Sequence, residues 1–325
     1  MFKTIFFLIS FDLNLQYLPL NYLIMLKRLL FIALCGVMLP AYTYAQSGQV
    51  LLKGTIVDAT TKEPLPFTSI GLKEEQVGAL SNEHGQFVVP APTKNAQDTL
   101  LIMALGYLRK TVLVKRGAAL DNITIEVPKQ AVALKEVMVK SGKIKNAALG
   151  AKTNNPGEGM IQGQAGSQYA FFVKNDKQKK LGAVRTVSFY IGENGFPREP
   201  FRVRLYKADG NYNAPNTDLL TENVVVSAPQ GGQWYTVDLT PYNVVAPDEG
   251  FYVAMEWVVS GDKFFTTNFM DDYTPYGQIM KPTFEFKESR TWTYSIGKGW
   301  NLMTLANGSG QRYNAMIKAD VDMIK

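Results

Sequence analysis

The sequence predicts an all-β protein built of two β-sandwiches. Three observations carry this. Apolar residues recur at every second position in run after run, the period of a strand with one buried face. Gly, Pro, Asn and Asp interrupt these runs at short spacing, as turns between strands do. No long helical pattern appears in the second half of the chain, and there are no internal repeats and no coiled-coil heptads. At 325 residues the chain has room for two domains of ordinary size.

The first segment is apolar. Residues 1–24 carry only Lys3 and Asp12 as charges. Met25 to Ala45 then reads as a secretory signal: Lys27 and Arg28 form the positive region, Leu29 to Leu39 the apolar run, and Thr43-Tyr44-Ala45 a small-residue cleavage site before Gln46. Met25 is the expected start. The alternative is an N-terminal anchor that stays attached. The apolar run is too short for an ordinary spanning helix, so no membrane span is expected in the mature chain. Cys35 raises the question of lipidation, but Leu34 stands where a small residue is required.

Charge and rare residues exclude several classes. Without Lys3, Lys27, Arg28 and Asp12 of the leader, 31 basic residues face 27 acidic ones. That mild, dispersed excess lacks the clustering that nucleic-acid binding needs, and Lys177, Lys179 and Lys180 read as a solvated loop. Cys35 is the sole cysteine, so the rest of the chain has no disulfide and no thiolate metal site. His84 is the sole histidine and sits among turn formers. A histidine-based zinc site therefore lacks its second histidine, and a Ser-His-Asp triad would have to use His84, which reads as a polar turn residue. No cofactor and no metal are expected.

Residues 46–141 are the first expected domain. Lys53 to Val57 begins a strand, and Pro66 to Lys73 forms a second, with Phe67, Ser69 and Gly71 alternating against Thr68, Ile70 and Leu72. Ser81-Asn82-Glu83-His84-Gly85 is a tight turn of hairpin type, and Gln86 to Val89 leaves it as a strand. Further strands are expected at Thr99–Ala104, Arg109–Lys115, Leu120–Val127 and Leu134–Lys140. The order G-x-I-V-D, K-E-P-L-P-F-T-S-I and S-N-E-H-G-Q-F resembles the carboxypeptidase-regulatory-like domain, as do LLIMALGY (100–107) and LKEVMV (134–139). The resemblance covers roughly Gln49 to Ser141. It implies a transthyretin/immunoglobulin-like seven-stranded sandwich at the N-terminus of an exported protein of the Bacteroidota type. It implies no zinc site, since the module accompanies some carboxypeptidases without carrying their metal. In similar outer-membrane receptors such a segment leads into a plug and barrel. The 184 residues after Ser141 are too few for both.

Residues 142–164, rich in Gly, Asn, Lys and Ala, read as a linker. Residues 165–325 form the second expected domain, an antiparallel sandwich of jelly-roll type. Val187, Phe189 and Ile191 share a face with Arg185. Phe201, Val203 and Leu205 alternate with Arg202, Arg204 and Tyr206. Tyr235, Val237 and Leu239 alternate with Trp234, Thr236 and Asp238. Phe251, Val253, Met255, Trp257 and Val259 share a face, as do Tyr313, Ala315, Ile317, Ala319 and Val321; Phe284 and Phe286 mark a further strand.

All four tryptophans fall in this half. Trp257 belongs to the core face of its strand. Trp292, Tyr294 and Trp300 lie in a Gly-rich, loop-prone stretch, and Tyr273 and Tyr276 follow Asp271 and Asp272 in another. Exposed aromatic faces stack on sugar rings, so these seven residues are the candidate binding set. Core filling is the competing role for each aromatic. Asp209, Asn211, Asn213, Asn216 and Asp218 offer oxygen ligands at close spacing, but Pro215 interrupts the series and a polar turn is expected. Glu256 is the one carboxylate weighed for glycoside hydrolysis; on its strand it reads as a solvated acid. The expected protein is exported (to the periplasm, the outer membrane or the cell surface) and non-catalytic. Its partner is a polysaccharide or another envelope protein. Recognition module and structural scaffold both stay open, with glycoside hydrolase as the weaker alternative.

Overall fold

The computed structural model describes residues 50–75, 77–117, 120–130, 144–163, 166–176, 179–258, 264–266, 277–296 and 298–324. The leader with Cys35, the 134–140 strand, Lys177, and Asp271, Asp272, Tyr273 and Tyr276 lie outside these residues. Among the described residues, no helix is long and apolar enough to cross a membrane.

Seven strands form an N-terminal sandwich: β1 (Leu51–Asp58), β2 (Ser69–Leu72), β3 (Val77–Leu80), β4 (Gln86–Pro90), β5 (Gln97–Met103), β6 (Lys110–Lys115) and β7 (Leu120–Val127). One sheet runs β4-β1-β7, with β1 parallel to β7; the other runs β3-β2-β5-β6. Alternation puts Leu52 and Ile56 of β1, Ile70 and Leu72 of β2, Phe87 and Val89 of β4, and Leu100 and Ile102 of β5 into one core. Each such side chain stabilises the fold by about 1.5–3 kcal/mol relative to exposure.

The turn after β3 departs from expectation. Asn82 Oδ1 accepts from the backbone N–H of His84 and of Gln86, both at 2.9 Å, and Gly85 has φ +71°. A Cβ on Gly85 would lie 2.6 Å from the Ile56 carbonyl, so only glycine fits. Yet β3 pairs with β2 while β4 pairs with β1. The turn is therefore an arch between sheets and not a hairpin. The second strand also starts late, at Ser69. Phe67 has φ +51°, outside the strand region.

The C-terminal sandwich contains β8 (Ile144–Gly150), β9 (Gln168–Lys174), β10 (Lys180–Gly195), β11 (Phe201–Tyr206), β12 (Val225–Val226), β13 (Gln233–Asp238) and β14 (Gly250–Trp257). After β15 (Phe264–Thr266) it continues with β16 (Gln278–Met280), β17 (Pro282–Thr283), β18 (Thr291–Ser295), β19 (Gly299–Leu302), β20 (Asn314–Ala315) and β21 (Ile317–Ile324). One sheet runs β13-β10-β21-β8, with β16 on β10, and the other runs β12-β11-β14-β9-β18-β19. Every pair in these two sheets is antiparallel. Between them lie Phe189, Ile191, Phe201, Leu205, Phe251, Met255, Trp257 and Ile317, the largest core of the molecule. Trp257 is fully buried there, and its Nε1–H donates to the Gln278 carbonyl at 2.9 Å.

Four local expectations change. The 142–164 stretch is not linker throughout, because β8 pairs with β21 along its full length. Its Lys, Asn and Ala read as linker because β8 is an edge strand that buries little. Arg185 does not share the core face. Val184 and Val187 both lie in the core, three residues apart, and a register shift between Val184 and Thr186 absorbs the extra residue. Arg185 is turned outward there and bonds Asp322. Of the strand expected around Phe284 and Phe286, residues 283–287, only Thr283 pairs, together with Pro282 before it, although Phe286 packs on the core and Phe284 on Tyr313. The 290–300 stretch is a β-hairpin rather than a loop, with Trp292 opposite Leu302 and Tyr294 opposite Trp300.

The two sandwiches belong to one compact unit, Gln49–Lys325. β15 pairs antiparallel with β3 and adds a fifth strand to the second N-terminal sheet. Leu80 packs on Val258. Ile296 packs so closely on the outer face of β2 and β3 that a Cβ on Gly71 would lie 1.7 Å from its Cγ2.

Candidate functional site

The outer face of the six-stranded sheet positions the site. On β9, β11 and β14 the residues that alternate with the core set are Gln168, Ala170 and Phe172, then Arg202, Arg204 and Tyr206, then Tyr252, Ala254 and Glu256. The β18–β19 hairpin adds Trp292, Tyr294 and Trp300 to this face. Solvent does not cover it. All eight residues of β14 are buried, because the N-terminal sandwich and the hairpin lie over its outer side.

Glu256 is the correction of greatest consequence. It is 0% exposed, not a solvated acid. Its Oε2 accepts from Arg202 Nη1 and from Arg204 Nη1, both at 3.1 Å, and Ser69 Oγ of β2 lies 3.4 Å from Oε1. Arg202 Nη2 donates to the Phe67 carbonyl at 2.6 Å. Arg204 donates from Nη2 (2.8 Å) and Nε (3.3 Å) to Asp218 Oδ1. Two cations thus meet two anions out of water, which is how buried charge becomes tolerable. Burial pushes the Asp218 carboxyl up against the pull of Arg204. Burial works against the Arg204 charge as well, but Asp218, Tyr206 and Glu256 outweigh it and hold that guanidinium firmly protonated. Neither carboxylate has the freedom of a general acid or base.

Beside this ion cluster a cleft of about 430 Å³ opens between the sandwiches. Tyr107, Arg109 and Gln130 line it from the N-terminal side, and Gln168, Arg204, Tyr294 and Trp300 from the C-terminal side. Tyr206 O–H donates to Gln168 Oε1 at 2.6 Å, and its ring meets Trp300 in a T-shaped contact with centroids 5.6 Å apart. Tyr294 and Trp300 are tilted against each other at 5.2 Å. Burial lifts the Tyr294 hydroxyl to about 12, so it stays a neutral donor at ordinary pH. Tyr107 is raised likewise, by burial and by its 2.9 Å bond to Asp58.

Of the seven sequence candidates, the cleft brings together Tyr294 and Trp300. Trp292 shares their face but packs with Ala170 and Tyr252 away from the cleft wall. The remaining four lie outside the described residues. Among the described residues, no group of three His, Cys, Asp or Glu side chains is placed to hold a metal. In the 209–218 loop, Asp209 accepts from the Thr217 backbone and hydroxyl, and Asp218 is bound by Arg204, so the polar turn accounts for both.

Residues 52–139 match the family model of the CarboxypepD_reg-like domain. The N-terminal sandwich is a CarboxypepD_reg-like domain. The chain as a whole is 26% identical over 297 residues to Bacillopeptidase F of Bacillus subtilis (strain 168), a match that covers 86% of this chain and 18% of that protein. The chain therefore spans under a fifth of that relative's length. Among solved structures, one described under the promiscuous specificity of carbohydrate-binding modules of the β-sandwich superfamily covers 67% of this chain and 96% of its own, at 9% identity and a TM-score of 0.20.

Sequence reasoning missed the CarboxypepD_reg-like domain's contribution to the cleft, Tyr107, Arg109 and Gln130, and also Gln168. One signal was present. FRVRLY and FYVAMEW place Arg202, Arg204 and Glu256 on the faces opposite their apolar residues, and opposite charges on neighbouring strands invite pairing.

Proposed function

We propose that the protein is a non-catalytic binding protein of the cell envelope whose inter-sandwich cleft takes a short saccharide. The observation that carries this is the cleft wall: Tyr294 and Trp300 stand beside the amides of Gln130 and Gln168 in a space of about 430 Å³. An aromatic surface suits the apolar face of a sugar ring, and amides bond its hydroxyls. The non-catalytic part is supported by the fate of the two acids. A glycosidase needs one carboxyl to give a proton and another to act as base or nucleophile. Asp218 and Glu256 are both committed to arginines. The Met25–Ala45 pattern supports export, and the CarboxypepD_reg-like domain serves as the rigid second wall of the cleft.

The test is a titration of intrinsic tryptophan fluorescence with a panel of soluble glycans. A saturable shift with one class, lost in Trp300→Ala but kept in Trp234→Phe, is the expected result. Thermal melting of each variant separates lost binding from lost folding. No response across the panel sinks the saccharide proposal. One dominant crosslinked partner in intact cells would then establish the scaffold role.

A further inference from the structure

We infer that the cleft selects an acidic saccharide, whose carboxylate pairs with Arg109 while its ring lies against Trp300. This rests on the saccharide reading of the cleft and names the class of sugar within it.

Three observations lead there. Arg109 lines the cleft and is exposed, yet it bonds no carboxylate and no carbonyl among the described residues. Every other arginine described there donates to one or the other: Arg116, Arg198 and Arg312 to backbone carbonyls, Arg185, Arg204 and Arg290 to carboxylates, and Arg202 to both. Second, the cleft offers Arg109 no internal anion. Asp218 is the single carboxylate in its lining, and Arg204 already holds it through two donors. Third, the charge balance of the lining is unequal. Arg204 and Asp218 cancel, and Arg109 is left over as one uncompensated positive charge facing a partly enclosed space. Its charge reaches the Tyr294 hydroxyl, on which it acts against the effect of burial, so cation and aromatic wall belong to one site.

The chemistry follows from the guanidinium. Its planar fork matches a carboxylate with two parallel N–H···O bonds. A neutral sugar would leave that fork facing water. A uronic acid supplies both the ring for Trp300 and the anion for Arg109. Charge-assisted bonds of this kind separate an acid from its neutral ester by roughly ten- to a hundred-fold in affinity. Because Arg109 is exposed, that preference weakens with added salt.

The experiment uses the protein with tri-galacturonate and its fully methyl-esterified form, read by tryptophan fluorescence at low salt and again with added sodium chloride. The acid is expected to bind at least roughly ten-fold tighter than the ester, with a salt-sensitive margin. Arg109→Gln is expected to erase the margin between acid and ester and to melt as the parent does. Equal affinity for acid and ester overturns the inference and leaves the saccharide cleft standing. A margin that survives Arg109→Gln overturns it too, by placing the carboxylate elsewhere. No saturable response to either form, or to the neutral panel, overturns both proposals together.

Discussion

At the residue scale, the interior of the protein turns on a few side chains with no substitute. Glu256 is one. Glu256→Gln keeps the shape but leaves Arg202 and Arg204 sharing a neutral amide. Breaking a buried pair on one side costs roughly 3–5 kcal/mol, and urea unfolding should show a loss of that order. Gly71 is another. Gly71→Ala drives a methyl into Ile296 and should cost about 1–3 kcal/mol, while Gly71→Ala with Ile296→Ala should recover part of it. Asp58 gives a pH dependence. Bonds from the Thr61 and Thr60 backbone N–H groups hold its carboxyl at about 2, below the usual 3.8. The folded value is depressed, so the stability it contributes is complete above about pH 4 and is lost as pH falls toward 2. Asp58→Asn should remove that part of the acid sensitivity in a pH series of thermal melts. The Asp58 bonds are local to its turn, whereas the cover over Glu256 and Gly71 comes from far along the chain. An acid opposite an apolar strand face reads as solvated, and Gly71 reads as one more alternating strand position, until the surface that covers them is known.

At the element scale, alternation gave most strands correctly, and its failures have physical causes. Val184 and Val187 break period two because β10 carries an extra residue between them. Removing Arg185 restores in-out-in order from Val184 through Thr186 to Val187. That deletion should fold, with the Asp322 contact as its main loss. Deleting Ser188 instead, inside the regular ladder, turns Phe189 out of the core and should abolish folding. Circular dichroism melts of the two deletions decide the point. The β18–β19 hairpin was missed because Gly299 and Lys298 look like loop, whereas Gly299, with φ +74°, makes the turn. β3 was missed because Val77–Leu80 is short and its partners are β2 and a strand from far along the chain.

At the scale of the whole molecule, two sandwiches were legible and their union was not. The alternating runs and the motif around Gly85 mark two cores. Ile296 on Gly71, Arg202 on the Phe67 carbonyl and β15 on β3 join positions too distant in sequence for any local pattern to report. The union predicts cooperative behaviour. All four tryptophans lie in the C-terminal sandwich, so their fluorescence follows that half alone, while circular dichroism follows both. The two signals should coincide in the parent protein and separate in Glu256→Gln, where the joint is weakened. Coincidence in both proteins would mean that other contacts suffice to couple the halves.

The pairing of β8 with β21 has a consequence in time. Ile144–Gly150 is made well over a hundred residues before its neighbour, Ile317–Ile324. A nascent or translocating chain can complete its first sandwich once Val127 has emerged. β8 then has no partner until Ile317–Ile324 arrives, and β10 waits with it, since β21 lies between them. The sheet that closes the core over the half carrying Trp300 is therefore completed only once β21 has emerged. A chain cut short before Ile317 presents two orphaned strand edges to the surrounding chaperones and proteases.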